Sequence, residues 1–187
     1  AEWARSKSLD INADKNNIEK VSNNYEANTI ASVNHDKYND ALFYSTLWIK
    51  DMQYATSPIM YASHIAISLV QDLDISEQIL HIGLASNPSD PTLLNNLAYV
   101  YALSDKVEKA EQCIIRANSN KSIPESTKLC LSATQGLLEF RKGNPDLGRI
   151  LYSDVINQTK NANYPELNWS AIINYAREEI QINSEYA

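Results

Sequence analysis

The sequence contains little glycine, proline and cysteine. Four glycines and six prolines among 187 residues leave little material for tight hairpin turns or for glycine-rich loops that hold phosphate groups. Two cysteines are too few for a disulfide framework and favour a reducing compartment. We therefore expect a cytoplasmic location, with a mature secreted form as the open alternative.

Long apolar runs and clusters of basic residues are also missing. No stretch approaches the roughly 18 apolar residues that a membrane-spanning helix needs, so we expect no membrane span. The chain has 23 acidic and 16 basic residues, a formal charge of −7, and its basic residues are scattered. This charge pattern disfavours nucleic acid as a partner. A hydrophobic content of 44% with 21% charged residues is typical of a folded domain.

No catalytic or metal-binding motif stands out. The three histidines, His35, His64 and His81, have no partner at metal-ligand spacing, and there is no H-E-x-x-H, Cys-x-x-Cys, G-x-S-x-G or P-loop pattern. His64 and His81 lie in helical, partly apolar patterns, which favours a place in the core or in a groove. We predict that the chain is not an enzyme and holds neither a metal nor a cofactor.

The starts of the helices are marked by capping residues and prolines. Asp90-Pro91 and Asn144-Pro145 place a capping side chain before a proline that can occupy the first helical turn. Ser57-Pro58 has the same form, and Asp74 and Asp105, each three residues before a glutamate, are interpreted as capping boxes. Gly143 is a plausible left-handed helix stop.

Between these marks, apolar residues recur at three- and four-residue steps, which predicts helices. No stretch shows the sustained alternation of a strand. The chain is therefore predicted to be all-α, with helices over 13–34, 37–55, 58–71, 75–86, 91–103, 106–119, 125–142, 145–161 and 165–183.

The segment 91–124 has the pattern of a helical repeat. Leu97, Ala98 and Tyr101 stand on its first helix, and Ala110 and Ile114 on its second. Small residues at positions 98 and 110 would let the two helices approach closely. This spacing resembles the tetratricopeptide repeat.

The resemblance extends over the chain at intervals near 34 residues. It implies repeats at about 22–55, 57–90, 91–124 and 129–162, whose second helices carry Ala41, Ser76, Ala110 and Gly148. In the second repeat His64 stands where the family has a small residue. The implied fold is a right-handed α-solenoid of antiparallel helix pairs with about three to four repeats. An irregular all-α bundle is the alternative.

The repeats would make up a domain over 22–187, ending in a capping helix over 165–183. We expect this helix to pack through Trp169, Ile173, Ala176 and Ile180, with Glu178 and Glu179 on a wet outer face. Residues 1–21 are assigned to an N-terminal segment that could be the end of a preceding domain.

In tetratricopeptide arrays, the first helices of successive pairs line a concave groove that holds a peptide or a helix. The resemblance implies that this groove is lined by Tyr61, Ile65, Thr92, Asn95, Asn96, Tyr99, Leu137 and Arg141. Asparagine amides can pair with both the N–H and the C=O of a bound backbone. We expect Asn95 and Tyr99 to be exposed. The alternative for Tyr61, Ile65 and Leu137 is that they pack between helices.

The leading hypothesis is thus a protein–protein interaction scaffold that binds a peptide or a partner protein in its concave groove. A second hypothesis is that the chain is the helical regulatory domain of a larger enzyme, since it starts at Ala1 without a methionine. A third is an α-helical enzyme or small-ligand sensor with its site inside the array. The sequence predicts neither the identity of the partner nor the oligomeric state.

Overall fold

The computed structural model describes residues 24–183, which are all-α. Nine helices account for 81% of this range, and it contains no strand. Within it, no helix is both long enough and apolar enough to cross a membrane. In chain order the helices are α1 (Tyr25–Asn34), α2 (Tyr38–Asp51), α3 (Thr56–Ile65, continued by a π-helical turn over Ala66–Val70), α4 (Leu73–Ser86), α5 (Pro91–Leu103), α6 (Val107–Asn118), α7 (Glu125–Arg141), α8 (Pro145–Asn161) and α9 (Pro165–Gln181).

The all-α prediction is confirmed, and eight of the nine predicted helices begin and end within a few residues of the observed ones. The first was predicted over 13–34, and its residues 13–23, like the predicted N-terminal segment 1–21, lie outside the described residues. The cap at Asp90 is confirmed, because its side chain accepts hydrogen bonds from the backbone N–H groups of Thr92 and Leu93 at 2.9 Å. Gly143 has the predicted left-handed backbone, with φ of 78°.

Asn144 is the N-cap residue of α8 and Pro145 follows it, as predicted, although the Asn144 side chain makes no cap hydrogen bond. The remaining predicted caps differ from the structure, and Ser57 lies inside α3, which starts at Thr56.

Asp105 has φ of 54° and lies in the turn before α6, so it does not cap that helix. Asp74 is inside the first turn of α4, whose cap is Asp72, accepting from the N–H of Ile75. Of these two, only Asp74 has a glutamate three residues later, so the capping-box pattern selected the wrong one of two nearby acidic residues.

The helices pack mainly with their neighbours along the chain. Each helix contacts the next one, and in addition α5 contacts α7 and α7 contacts α9. A shared apolar core runs from Ile49 on α2 to Tyr152 on α8. The connections between helices are short, so each helix returns along its predecessor.

Four pairs of small, buried residues mark the close contacts within helix pairs. They are Thr29 and Ala41, Ser63 and Ser76, Ala98 and Ala110, and Gly136 and Gly148, which are 12, 13, 12 and 12 residues apart. A Cβ added to Gly148 would lie 2.5 Å from the ring of Phe140 and 3.0 Å from the carbonyl oxygen of Gly136. The small side chains therefore permit a helix separation that larger ones would prevent.

The second pair has one extra residue, which coincides with the π-helical turn over Ala66–Val70. A π-helical turn accommodates one additional residue inside a helix. Counting back from Ala98 by 35 rather than 34 residues places Ser63, which is buried, at the small position and moves His64 to the next one. The apparent departure at His64 is thus a shift of register within α3.

The predicted orientation of α9 is wrong. Glu178 and Glu179 are each 1% exposed, whereas Trp169, Ile173 and Ile180 are 63%, 64% and 63% exposed. The physical reason is the presence of two arginines on the preceding helix pair. Arg141 at the end of α7 contacts Glu178 at 3.1 Å, and Arg149 on α8 contacts Glu179 at 2.8 Å.

Aromatic rings hold the inner face of α9 together with these ion pairs. Tyr175 stacks on Tyr152 of α8, with ring centroids 5.4 Å apart, and lies 6.2 Å from the ring of Phe140 on α7. Burial raises the pKa of the Tyr152 hydroxyl. The helix is therefore bound through a buried aromatic and ionic face.

Candidate functional site

A cavity of about 540 Å³ lies between five of the helices. We call it the interhelical cavity. Its lining residues are Ser63, His64, Ile67 and Ser68 of the α3 segment, Asn95, Asn96 and Tyr99 of α5, Leu129, Cys130, Ala133 and Thr134 of α7, Tyr152, Val155 and Thr159 of α8, and Leu167, Ser170, Ala171, Ile173 and Asn174 of α9.

The interhelical cavity has no carboxylate, ammonium or guanidinium group in its lining. Its one basic side chain is His64, whose Nδ1 lies 3.3 Å from the hydroxyl of Ser68. Loss of solvent lowers the pKa of His64 from its ordinary value of 6.5, so the imidazole is neutral at pH 7. In a chain with a formal charge of −7, this lining selects for uncharged ligand groups.

Polar groups are placed at one side of the cavity by α5 and α9. The hydroxyl of Tyr99 donates a hydrogen bond to Oδ1 of Asn174 at 2.9 Å. The guanidinium of Arg177 donates to the same hydroxyl at 3.3 Å and lies 5.9 Å from the centre of the tyrosine ring. Arg177 itself is not a lining residue. This cluster fixes Tyr99 and Asn174 and leaves the Asn174 amide nitrogen directed to other partners.

Three of the eight predicted groove residues, Asn95, Asn96 and Tyr99, line this cavity. The predicted exposure of Asn95 is wrong, because its side chain is 5% exposed. Its Oδ1 accepts a hydrogen bond from the hydroxyl of Thr134 at 2.9 Å. Tyr99 is only partly exposed, because α9 covers one side of it.

The other five predicted residues lie elsewhere. Ile65 and Leu137 are buried in the core, as the alternative interpretation had them. Tyr61 is about half exposed and packs against Trp48, with ring centroids 5.6 Å apart.

Thr92 and Arg141 hold helices together. The hydroxyl of Thr92 shares a hydrogen bond of 3.1 Å with the hydroxyl of Thr127 and so joins α5 to α7. Arg141 is a buried partner of Glu178 on α9. Neither residue lines the cavity.

The predicted groove leaves out His64 and Ser68 of the α3 segment and Asn174 of α9, although His64 was expected either in the core or in a groove. The one-residue shift in α3 explains the first two, since counting 35 residues back from Tyr99 gives His64 in place of Ile65, and Ser68 lies four residues after His64. A periodicity search that allowed one inserted residue would have found them. Asn174 carries no such signal, because its place depends on how α9 turns.

Cys130 is the reactive group of the cavity. Its thiol is free, and burial raises its pKa, which slows its reaction at neutral pH. Between residues 24 and 183, no group of three or more His, Cys, Asp or Glu side chains is arranged to hold a metal ion. The chemistry offered here is apolar contact and neutral hydrogen bonding.

The comparisons with known proteins give no relative: no protein-family model, no curated protein and no solved structure matches this chain.

Proposed function

We propose that this protein is a protein–protein interaction scaffold, a right-handed array of tetratricopeptide-like helix pairs that binds a segment of another protein in the interhelical cavity. The observation that carries the proposal is a cavity of about 540 Å³ lined only by apolar and neutral polar groups. The four pairs of small buried residues at nearly equal spacing support the repeat architecture.

The lining indicates what kind of segment would fit. Leu129, Ala133 and Val155 offer apolar contact, which suits one or two uncharged, apolar side chains of a peptide. The amides of Asn96 and Asn174 can each donate to a peptide carbonyl and accept from a peptide N–H. A charged anchor would lose its hydration without gaining a partner, so acidic and basic anchors are disfavoured.

Selection from a displayed peptide library tests this proposal. We expect the enriched peptides to share an uncharged apolar anchor and to bind the purified chain with micromolar affinity. Ala133→Trp fills the cavity and should weaken the binding of a selected peptide at least tenfold, or about 1.4 kcal/mol. Ile82→Trp is the matched control, because Ile82 is an exposed apolar residue on α4 outside the lining.

Cys130 reports on the same site directly. A bound peptide should reduce the rate of maleimide labelling of Cys130 in proportion to the fraction of sites that are occupied. The selected peptides could instead bind the Ala133→Trp variant as tightly as the unmodified chain and leave the labelling rate of Cys130 unaltered. That result would show that the cavity is not the binding site.

A second candidate function, sensing of a small uncharged molecule, is favoured by the cavity's size. Its volume of about 540 Å³ lies within the roughly 300–1,000 Å³ typical of small-molecule sites. Native mass spectrometry of the freshly purified chain distinguishes the two, since a retained small molecule that is absent from the Ala133→Trp variant would favour the sensor.

A further inference from the structure

Among residues 24–183, an apolar stripe on the outer face of α9 is left exposed. Trp169, Ile173, Ala176 and Ile180 follow each other at steps of four, three and four residues, and all four are exposed. We call these residues the outer stripe. Steps of this kind place side chains along one line of a helix, over roughly 16 Å. Such a line is the usual contact surface of a helix that packs against a second helix.

The outer stripe is symmetric about its own centre. Its midpoint lies between Ile173 and Ala176, and Trp169 and Ile180 lie at equal distances on either side. When two copies of the helix are placed antiparallel about a two-fold axis at this midpoint, Trp169 of each copy meets Ile180 of the other. Ile173 likewise meets Ala176. Each contact then pairs a larger side chain with a smaller one, which allows close packing.

The charges on α9 also permit this pairing. Two of its carboxylates, Glu178 and Glu179 in the last turn, are turned inward to Arg141 and Arg149. Of the acidic side chains of α9, this leaves Glu166 exposed. In the same antiparallel register the position opposite Glu166 is 183, which lies beyond the end of α9, so no two carboxylates of this helix face each other. A surface that is acidic overall thus presents a neutral, apolar face at this one helix.

We propose that the outer stripe is a self-association surface, at which two copies of this chain pair through antiparallel α9 helices about a two-fold axis. A C2 interface uses the same patch on both subunits, and the symmetric stripe meets this requirement. The contact is small, so the dimer belongs with the weak, reversible interfaces. Its dissociation constant is expected to be roughly 1–100 µM. Ile173 also belongs to the lining of the interhelical cavity, whereas Trp169, Ala176 and Ile180 lie outside it. The two proposals therefore share this one residue, and self-association is measured without a cavity ligand.

Sedimentation equilibrium over a concentration series is the first test. The weight-average mass of the unmodified chain should rise from the monomer towards the dimer. Ile173→Glu should hold it at the monomer by raising the dissociation constant at least tenfold. Ile115→Glu is the matched control, because Ile115 is the same residue type with nearly the same exposure on α6, and it should leave self-association unchanged.

Mixing two charged variants tests the register. Ile173→Glu alone and Ala176→Lys alone each place unpaired charges at the two-fold contact, so each should remain monomeric. When the two are mixed, the introduced carboxylate faces the introduced ammonium at one contact, and the native Ile173 and Ala176 meet at the other. The mixture should therefore form a one-to-one dimer. Both positions are exposed, so both variants should retain the helical circular dichroism of the unmodified chain.

Three results would overturn the proposal. The first is a chain that stays monomeric at several hundred micromolar. The stripe would then be covered by another segment of the same chain or would bind a different partner. The second is self-association that Ile173→Glu leaves intact, which would place the interface on another face. The third is a mixture of the two variants that stays monomeric, which would exclude the antiparallel two-fold register.

Discussion

His64 is the one basic side chain in the interhelical cavity, and its protonation would place a charge in a lining that is otherwise neutral. The titratable groups that share the cavity are Cys130, Tyr99 and Tyr152. Burial raises the pKa of the Cys130 thiol and of the Tyr152 hydroxyl, and the Tyr99 hydroxyl is bonded to Asn174. His64 is therefore the group that responds to mild acid.

Binding of an apolar peptide should weaken as the pH falls. The pKa of His64 already lies below 6.5 because of lost solvent, and a ligand would remove more solvent and lower it further. Neutral His64 is thus the binding form, and affinity should be constant above pH 6.5 and fall by up to tenfold per pH unit below the pKa of the free protein. Fluorescence anisotropy with a selected peptide from pH 7.5 to 5.0 measures this. His64→Gln should remove the dependence, and His81→Gln, outside the cavity, should retain it.

At the residue level, the sequence predicted chemical character better than location. Asn95 was predicted to be exposed because the tetratricopeptide geometry turns this position toward the groove, but its amide oxygen has a hydrogen-bond partner in the structure. Thr134, which is 39 residues away, supplies that partner. Arg141 was predicted for the groove from the same repeat geometry, and it is bound by Glu178 on α9. Such partners are visible only once the helices have been packed.

Among the helices, the small-residue pairs set how closely two neighbours approach. Gly148→Ala should be destabilising, because the new Cβ would lie 2.5 Å from the Phe140 ring and 3.0 Å from the carbonyl oxygen of Gly136. Overpacking of this kind costs roughly 1–3 kcal/mol. Urea unfolding gives the value, with Ser153→Ala, an exposed change on the same helix, as the control. Equal stability of the two variants would mean that α7 and α8 can separate freely.

Helix α9 should be required for stability through its inner face. Deleting residues 165–187 removes Tyr175 from the rings of Tyr152 and Phe140 and leaves the buried Arg141 without Glu178. We expect aggregation or a clear loss of thermal stability, measured by differential scanning calorimetry and light scattering.

Single substitutions separate the two faces of α9. Glu178→Ala should cost about 3 kcal/mol, because it strands a buried charge. Trp169→Ala should cost little, because that ring is on the outer face. If Trp169→Ala were the more damaging, the described orientation of α9 would be wrong.

Helices as elements were largely predictable, whereas their orientation was not. Capping residues and three- to four-residue periodicity act locally, so the segment from α2 to α9 was located correctly. The face of α9 was predicted by placing its apolar residues inside, which is the usual outcome. Here Arg141 and Arg149 attract the glutamates instead. The extra residue of the π-helical turn over Ala66–Val70 likewise leaves no mark in the composition of that segment.

Across the whole molecule, contacts are concentrated between helices that are adjacent in the chain, and the bond between Tyr99 and Asn174 joins residues 75 apart. This arrangement has a consequence for the order of folding. Local contacts close small loops, so the helix pairs should form quickly. The bond between α5 and α9 can form only after α7 and α8 are in place, so it should be absent from the folding transition state.

Tyr99→Phe removes only this hydroxyl and therefore isolates the late step. The folding rate should be unchanged. The free energy of unfolding should fall by about 1 kcal/mol, and this loss should appear as roughly fivefold faster unfolding. Stopped-flow chevron analysis separates the two rates, and a variant that folds more slowly would show that α9 docks early. Late docking of α9 would also mean that a chain emerging from the ribosome completes its cavity only after α9 has been released.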